Sequence, residues 1–356
     1  MFFMDKFAFA LWLYYFCLST RKQRASYMII ETRAFARAGL LGNPSDGFFG
    51  KTISIIVRNF GATVMLYESP ELRIEEDETT VFRNIRHFTD TIARTGYYGG
   101  IRLVKAAIKK FSEYCDESGI VLPARNFTIR FSTTIPRQVG LSGSSAIITA
   151  TFKALMQFYE VEIPLEMLPT WVLKAESEEL AITAGLQDRV IQAYEGCVYM
   201  DFDKDFMQAN GRGRYERIDP ALLPKFYIAY KTTLSKVSGA VHNPVRALFD
   251  AGDPLVCETM AQIAEVAEQG RQAILEKDYA RLNQLIDRNF DLRCKIYKIA
   301  PENMNLIKTA RDCGLSAKFA GSGGTIIGMY PDEESLHRLV VRMKPLNVRV
   351  IKPYIS

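Results

Sequence analysis

The chain is poor in the residues that most often announce chemistry. It has three histidines, His87, His242 and His337, and none lies two to five residues from another histidine or a cysteine. Metal-ligand spacing is therefore absent, and a mechanism built on a histidine base has little support. The six cysteines (Cys17, Cys115, Cys197, Cys257, Cys294 and Cys313) are scattered and form no CxxC pair. That excludes zinc-ribbon and thioredoxin-type sites and argues against a disulfide framework in a chain of 356 residues. They read as buried, reduced thiols of a cytoplasmic protein. A concentrated basic face is lacking too. The net charge is +5, and residues 1–27 alone supply three of those charges. No nucleic-acid partner is expected.

Long apolar runs are also missing. The longest is Phe7 to Ser19, followed at once by the basic cluster Arg21 to Arg24. A membrane span needs about 18 or more apolar residues, so stable insertion is not expected. A secretory signal would carry its positive charge before the apolar stretch rather than after it. Residues 1–27 hold nine aromatic side chains, a local shift in composition. They read as an extension outside the fold, with Met28 opening the first domain; a membrane-surface anchor is the rival reading. Two nucleotide signatures are absent as well. In GFFGKT (Gly47 to Thr52) the glycine a Walker A loop requires is replaced by Ser45, and in GSGG (Gly321 to Gly324) the last glycine of GxGxxG falls on Ile326.

What remains is a globular composition, 48% hydrophobic and 24% charged, with length for two domains. The pattern is mixed α/β. Ser54 to Glu68 reads as two strands around Gly61, Tyr98 to Tyr114 as an amphipathic helix, and Phe127 to Pro136 as an alternating strand. Ile147 to Tyr159 and Glu166 to Leu180 read as helices, and Cys197 to Phe202 as a strand. The polar stretch Lys204 to Pro220 reads as the domain seam, dividing 28–220 from 221–356. Beyond it, Asp253 followed by Pro254 signals a helix start, and two long helices follow over about 254–275 and 278–297. The end alternates helix and strand around an SGG turn, an α+β layer with an antiparallel sheet.

Chemistry concentrates in two stretches. In IPRQVGLSGSSA (Ile135 to Ala146) a strand stops at proline and a helix begins after a run of glycine and serine. Small residues there let consecutive backbone N–H groups face one concavity, and the helix brings its positive end to the same place. Ser142, Ser144 and Ser145 add hydroxyls that suit phosphate oxygens or a Mg²⁺ shell. The rival reading is a flexible loop capped by Ser144. Further on, Glu176 and Asp188 flank a glycine turn, with Asp188 near the first turn of a helix. Phosphoryl transfer needs one acid on the metal and one on the acceptor hydroxyl. Taken singly, each reads as a solvated helix carboxylate.

Together the residues resemble the GHMP kinases. RAGLLGNPSDGFFGK (Arg37 to Lys51) is similar to that family's N-terminal sugar motif, PRQVGLSGSSA (Pro136 to Ala146) to its phosphate loop, and KFAGSGGTIIG (Lys318 to Gly328) to its third glycine motif. Within the family, TGYYGG (Thr95 to Gly100) and AGLQDRV add a likeness to the plant-type glucuronokinases. Asn43–Pro44 stands where galactokinases have Glu-His.

The resemblance implies an α+β two-domain fold, with a ribosomal-protein-like N-terminal domain and a ferredoxin-like C-terminal domain. It implies ATP, Mg²⁺ and transfer to the anomeric hydroxyl of D-glucuronate, a small-molecule sugar acid. It casts Asp188 and Arg37 as catalytic, the first as base or positioning group. Pro136, Gly140, Leu141, Ser142, Gly143, Ser144, Ser145, Ala146, Gly321, Ser322 and Gly323 would hold ATP. Asn43, Asp46, Lys51 and Arg189 would hold the sugar, with Lys51, Arg189 or Arg137 offered to its carboxylate. Ser145 and Glu176 would hold the metal. Other sugars (fucose, a heptose or galacturonate) and a silent sugar sensor are the alternatives.

Overall fold

The computed structural model describes residues 29–75, 80–95, 101–232 and 244–356. The extension 1–27 and most of the TGYYGG segment lie outside them.

The first sheet is organised by one strand. β1 (Ile29–Leu41) runs along one edge of β2 (Lys51–Ser69), antiparallel throughout. The other edge of β2 is shared. Its second half pairs with β5 (Asn126–Thr133), beyond which lie β3 (Leu72–Ile74) and β4 (Thr80–Phe82). Its first half pairs with β6 (Cys197–Asp201), and β6 with β7 (Arg214–Ile218). The two strands expected around Gly61 are therefore one. The register jumps there, Phe35 facing Gly61 and Ala36 facing Val57, so Arg58 to Phe60 leave the ladder. A bulge of this kind bends a strand without ending it, letting β5 and β6 depart from one edge in different directions.

Helices α1 (Ile85–Thr95) and α2 (Arg102–Glu117) precede β5, while α3 (Gly143–Tyr159), α4 (Leu168–Leu180) and α5 (Gln187–Tyr194) follow it. α3 is apolar nearly all round and buries Ile148, Phe152, Leu155 and Phe158 completely. It is the central helix of this region, as an all-round apolar helix must be. The polar stretch read as a seam is itself folded. It holds α6 (Lys204–Asn210) and β7, the outer strand of the sheet.

The second sheet is antiparallel. Its strands are β8 (Phe226–Lys231), β9 (Lys318–Phe319), β10 (Thr325–Met329) and β11 (Val348–Ile351), in the order β11-β8-β10-β9. Around it run α7 (Pro244–Asp250), α8 (Pro254–Leu275), α9 (Tyr279–Ile296), α10 (Pro301–Arg311) and α11 (Glu333–Met343). The start of α8 is the expected one: Asp253 accepts from Val256 N–H, with proline in the first turn. α8 also closes the gap to the first sheet. Gly270 lies so close to β1 that a Cβ there would stand 2.0 Å from Leu41 Cδ1. One continuous apolar cluster accordingly joins both parts of the chain. Among the described residues no helix is long and apolar enough to cross a membrane, and the five described cysteines are free thiols.

Candidate active site

Three chain segments far apart in sequence meet at the end of β1. Gly39 N–H donates to Ala320 O at 2.8 Å, Thr325 Oγ1 donates to Val139 O at 2.6 Å, and Arg37 N–H reaches Leu141 O at 3.4 Å. The glycines of the 139–143 loop and of the 320–324 turn are pressed backbone to backbone. A Cβ on Gly321 would lie 2.5 Å from Gly140 O, and one on Gly140 would lie 2.8 Å from Gly323 O. Gly140 also has φ 79°. Both positions exclude a Cβ by contact, and Gly140 by its backbone angle as well.

The loop ends at an open helix terminus. Ser142, the N-cap of α3, sits in the left-handed region and makes no side-chain cap bond. Its hydroxyl donates instead to Asp188 Oδ2 at 2.5 Å. Among the described residues, the N–H groups of Gly143, Ser144 and Ser145 find no acceptor. No acid sits in this first turn. Three unsatisfied N–H groups at the positive end of a helix form an anion site. The capping role offered to Ser144 is not observed.

Arg37 and Asp188 form the centre. Arg37 Nε and Nη2 donate to the two Asp188 oxygens at 2.5 and 2.8 Å, and Nη1 donates to Gly140 O at 2.7 Å and Ala320 O at 3.3 Å. Burial pushes the Asp188 carboxyl up, but the charges of Arg37 and Arg189 and the hydrogen bonds from Arg37 and Ser142 outweigh it. The carboxyl is held below its usual range and is ionised. Asp46 behaves in the opposite way. It accepts from Gln187 Nε2 at 2.9 Å and from Gln187 N–H at 3.4 Å. Burial first, and then the nearby Asp188 charge, raise its carboxyl to about 7. A Cβ on Gly185 would collide with Asp46 Oδ2 at 1.7 Å, so that glycine gives the carboxylate its room.

Four of the expected site residues have their side chains engaged elsewhere in the fold. Asn43, expected on the sugar, is 2% exposed. Its amide donates to Phe319 O at 3.2 Å and accepts from Lys318 Nζ, locking the first motif to the third. Lys51 pairs with Glu268 at 2.7 Å and so ties β2 to α8. Arg189 is buried and spent: its Nε donates to Glu176 Oε2 at 2.7 Å, Nη2 donates to the same oxygen, and Nη1 donates to Gly185 O at 2.6 Å. Ser145 is fully buried, and its hydroxyl turns back to Ser142 O at 3.2 Å. Its neighbour Ser144 donates to Glu176 Oε1 at 2.7 Å. The remaining loop residues serve as backbone: Leu141 and Ala146 are buried, Pro136 ends the approach from β5, and Ser322 is exposed on the turn. Arg137 is exposed.

Two cations were not foreseen. Lys318 is 1% exposed, and its Nζ donates to Gly39 O and Phe319 O, each at 2.8 Å, besides Asn43 Oδ1. Burial, with Arg293 and Arg37 nearby, pulls its ammonium well below the usual lysine range. Arg293 on α9 is 9% exposed and donates to Gly321 O at 3.1 Å. Lys318 opens the third glycine motif with no role expected of it there, and Arg293 lies in none of the motifs.

The residues also suit a hard cation. Ser144 Oγ and Glu176 Oε1 are adjacent oxygen donors, and among the described residues they belong to no cluster of three or more acidic, histidine or cysteine side chains. That set suits Mg²⁺, which keeps most of its shell on water and nucleotide phosphates.

Comparison with known proteins agrees with this geometry. Residues 102–196 match the GHMP kinases N terminal domain, and residues 271–345 match the GHMP kinases C terminal domain. The chain is 43% identical over 321 residues to probable glucuronokinase 2 of Arabidopsis thaliana, covering 88% of this chain and 87% of that protein. It is 42% identical over 319 residues to glucuronokinase 1 of the same plant, covering 87% and 88% respectively. The galactokinase of Lactococcus lactis, solved with galactose, superposes with a TM-score of 0.77 at 14% identity, covering 98% of each chain. Two sheets meeting over paired glycine turns, a phosphate-ready helix terminus and this level of identity have one reading: the chain belongs to the GHMP kinases.

Proposed function

We propose that this kinase transfers the γ-phosphoryl group of ATP to the anomeric hydroxyl of D-glucuronate, giving glucuronate 1-phosphate. The observation that carries the chemistry is the Arg37–Asp188 pair beside the open N-terminus of α3. The identity to the two glucuronokinases supports the acceptor.

In this reading the N–H groups of Gly143 to Ser145 hold nucleotide phosphate, with the Gly140 and Gly321–Gly323 backbones closing around it. Ser144 and Glu176 would hold Mg²⁺, which neutralises phosphate charge when bound. Asp188 receives the acceptor hydroxyl. A carboxylate held at low basicity by Arg37 is a poor base toward an alcohol in the ground state. Asp188 therefore acts first by orientation and takes the proton only as the oxygen–phosphorus bond forms and the bond to ADP breaks. Arg37 offsets charge on the same oxygens, in keeping with catalysis by positioning and electrostatics. Asp46 binds ring hydroxyls. Intact Arg37, Glu176 and Asp188 speak against a silent sensor. We place the domain division at residues 220/221, between β7 and β8, and the free thiols fit a cytoplasmic setting.

The test is product identity. With Mg²⁺, ATP and glucuronate, phosphorus NMR should show phosphate on the anomeric oxygen together with ADP. Phosphate at another hydroxyl, or ADP release independent of sugar, contradicts the reading.

A further inference from the structure

Charge balance in the site singles out one residue that phosphoryl transfer does not use. Arg37 is paired with Asp188, and Arg189 with Glu176. Arg293 has no carboxylate partner among the described residues, although it is nine-tenths buried. Its one hydrogen bond runs from Nη1 to Gly321 O, and its Nε is buried with no acceptor at all. The rings of Tyr297 and Phe319 stack on it, each centroid 5.2 Å from Cζ. Buried charges are ordinarily paired, because desolvation is otherwise uncompensated. A guanidinium left so keeps donors unspent.

Its place indicates for what. Asn289 lies one helical turn earlier on the same face of α9. That side chain accepts from Gly42 N–H at 2.6 Å and donates to Asn43 O at 3.2 Å, clamping the turn of the sugar motif. Gly321 lies between the two arginines: its carbonyl accepts from Arg293, and a Cβ on it would stand 3.1 Å from Arg37 Nη1. Arg293 is also within electrostatic reach of Asp46. The other nearby cations are spent. Lys318 donates to three oxygens, Lys51 is bound to Glu268, and Arg189 is bound to Glu176.

We propose that Arg293 is the specificity residue for the acceptor, its free N–H donors taking the C6 carboxylate of the hexuronate. This rests on the glucuronate reading. An arginine fork suits a carboxylate geometrically, and the bond is charge-assisted on both sides. A nucleotide phosphate is the other anion the site could offer, and the experiment separates the two.

The full-length chain is compared with Arg293→Gln and Arg293→Lys on glucuronate, its uncharged C6 amide and glucose, with KM for ATP measured alongside. For Arg293→Gln, kcat/KM on glucuronate should fall about 10–10²-fold, mostly through KM, and the preference over the amide and glucose should shrink by the same factor. Arg293→Lys keeps the charge and should retain part of the preference. KM for ATP should stay within about twofold in both. Saturating glucuronate should raise the wild-type Tm and no longer raise that of Arg293→Gln, while an ATP analogue raises both, which also reports folding. Preference undiminished in the variants, or a rise in KM for ATP in place of one for sugar, overturns the proposal. A wild type indifferent to the carboxylate would instead sink the glucuronate reading, and this inference with it.

Discussion

On the wall built by β1, α3, α4 and α5, each buried arginine rests on a carboxylate, Arg37 on Asp188 and Arg189 on Glu176. On the wall built by α9 and the 318–324 turn, Lys318 and Arg293 are buried with no acid partner among the described residues. Both walls serve one site, yet they treat charge oppositely. The paired wall holds its side chains in fixed orientation. The unpaired wall stores positive potential, part of it consumed by carbonyls that join the two glycine motifs and part left open. Preorganised charge of this kind is set during folding, so nothing reorganises when an anion arrives.

The largest effect should come from the centre of the paired wall. Asp188→Asn leaves the shape but removes the charge on the acceptor oxygen, and kcat should drop about 10²–10⁴-fold with nucleotide affinity nearly unchanged. Single-turnover rates with a nucleotide titration would show it. Near-wild-type turnover would remove Asp188 from the mechanism.

Next is Arg37→Met, which strands the Asp188 carboxylate in a buried setting. Breaking a buried pair from one side costs about 3–5 kcal/mol, so urea unfolding should show a large loss of stability beside the loss of rate. Lys318→Met takes a donor from three buried oxygens but strands no charge, so it should cost less than Arg37→Met. Comparable losses at the two sites would erase the distinction between the walls.

A smaller effect separates two neighbouring serines. Ser144→Ala should raise the Mg²⁺ concentration for half-maximal rate about tenfold, an effect of the size expected for one lost hydroxyl contact. Ser145→Ala should leave that concentration alone. The reverse order would restore Ser145 as the ligand.

The smallest concerns Asp46, whose carboxyl is raised from 3.8 to about 7. Between those values the unfolded chain has released this proton and the folded chain keeps it. Rising pH therefore withdraws stability from the fold until about 7, and no more beyond. Asp46→Asn cannot ionise, so its Tm relative to wild type should climb across that window and then level off. A difference flat with pH would show Asp46 to be ionised throughout.

The residues of the paired wall were legible in the sequence, as were the elements of the unpaired wall, but not the two cations those elements carry. Arg37, Ser142, Glu176 and Asp188 lie in motifs whose glycines and spacing mark them, and the structure brings them together. Ser144, one residue before the serine expected on the metal, is the one beside Glu176. Successive helical residues differ by about 100° in direction, which turns Ser145 to the core with Ile148 and Phe152 and leaves Ser144 toward Glu176. Gly61 read as a turn because a bulge and a turn both favour glycine, and only the pairing partners distinguish them. Asn43, Lys51 and Arg189 looked like ligands by position, but their partners (Lys318, Glu268 and Glu176) come from distant segments. Arg293 sits in an ordinary amphipathic helix. It stands out only where α9 meets the Gly42–Asn43 turn and Gly321, a meeting that no local pattern encodes.

The most direct measurement is competition between acceptors on the intact enzyme: kcat/KM for glucuronate, galacturonate, glucose, galactose and fucose at one ATP and Mg²⁺ concentration. A site whose open cation awaits a carboxylate loses on the order of 1–3 kcal/mol or more with a neutral hexose, so glucuronate should lead glucose and galactose by at least about tenfold to a hundredfold. Equal or faster turnover of a neutral sugar would contradict the account, leaving a GHMP kinase of another specificity.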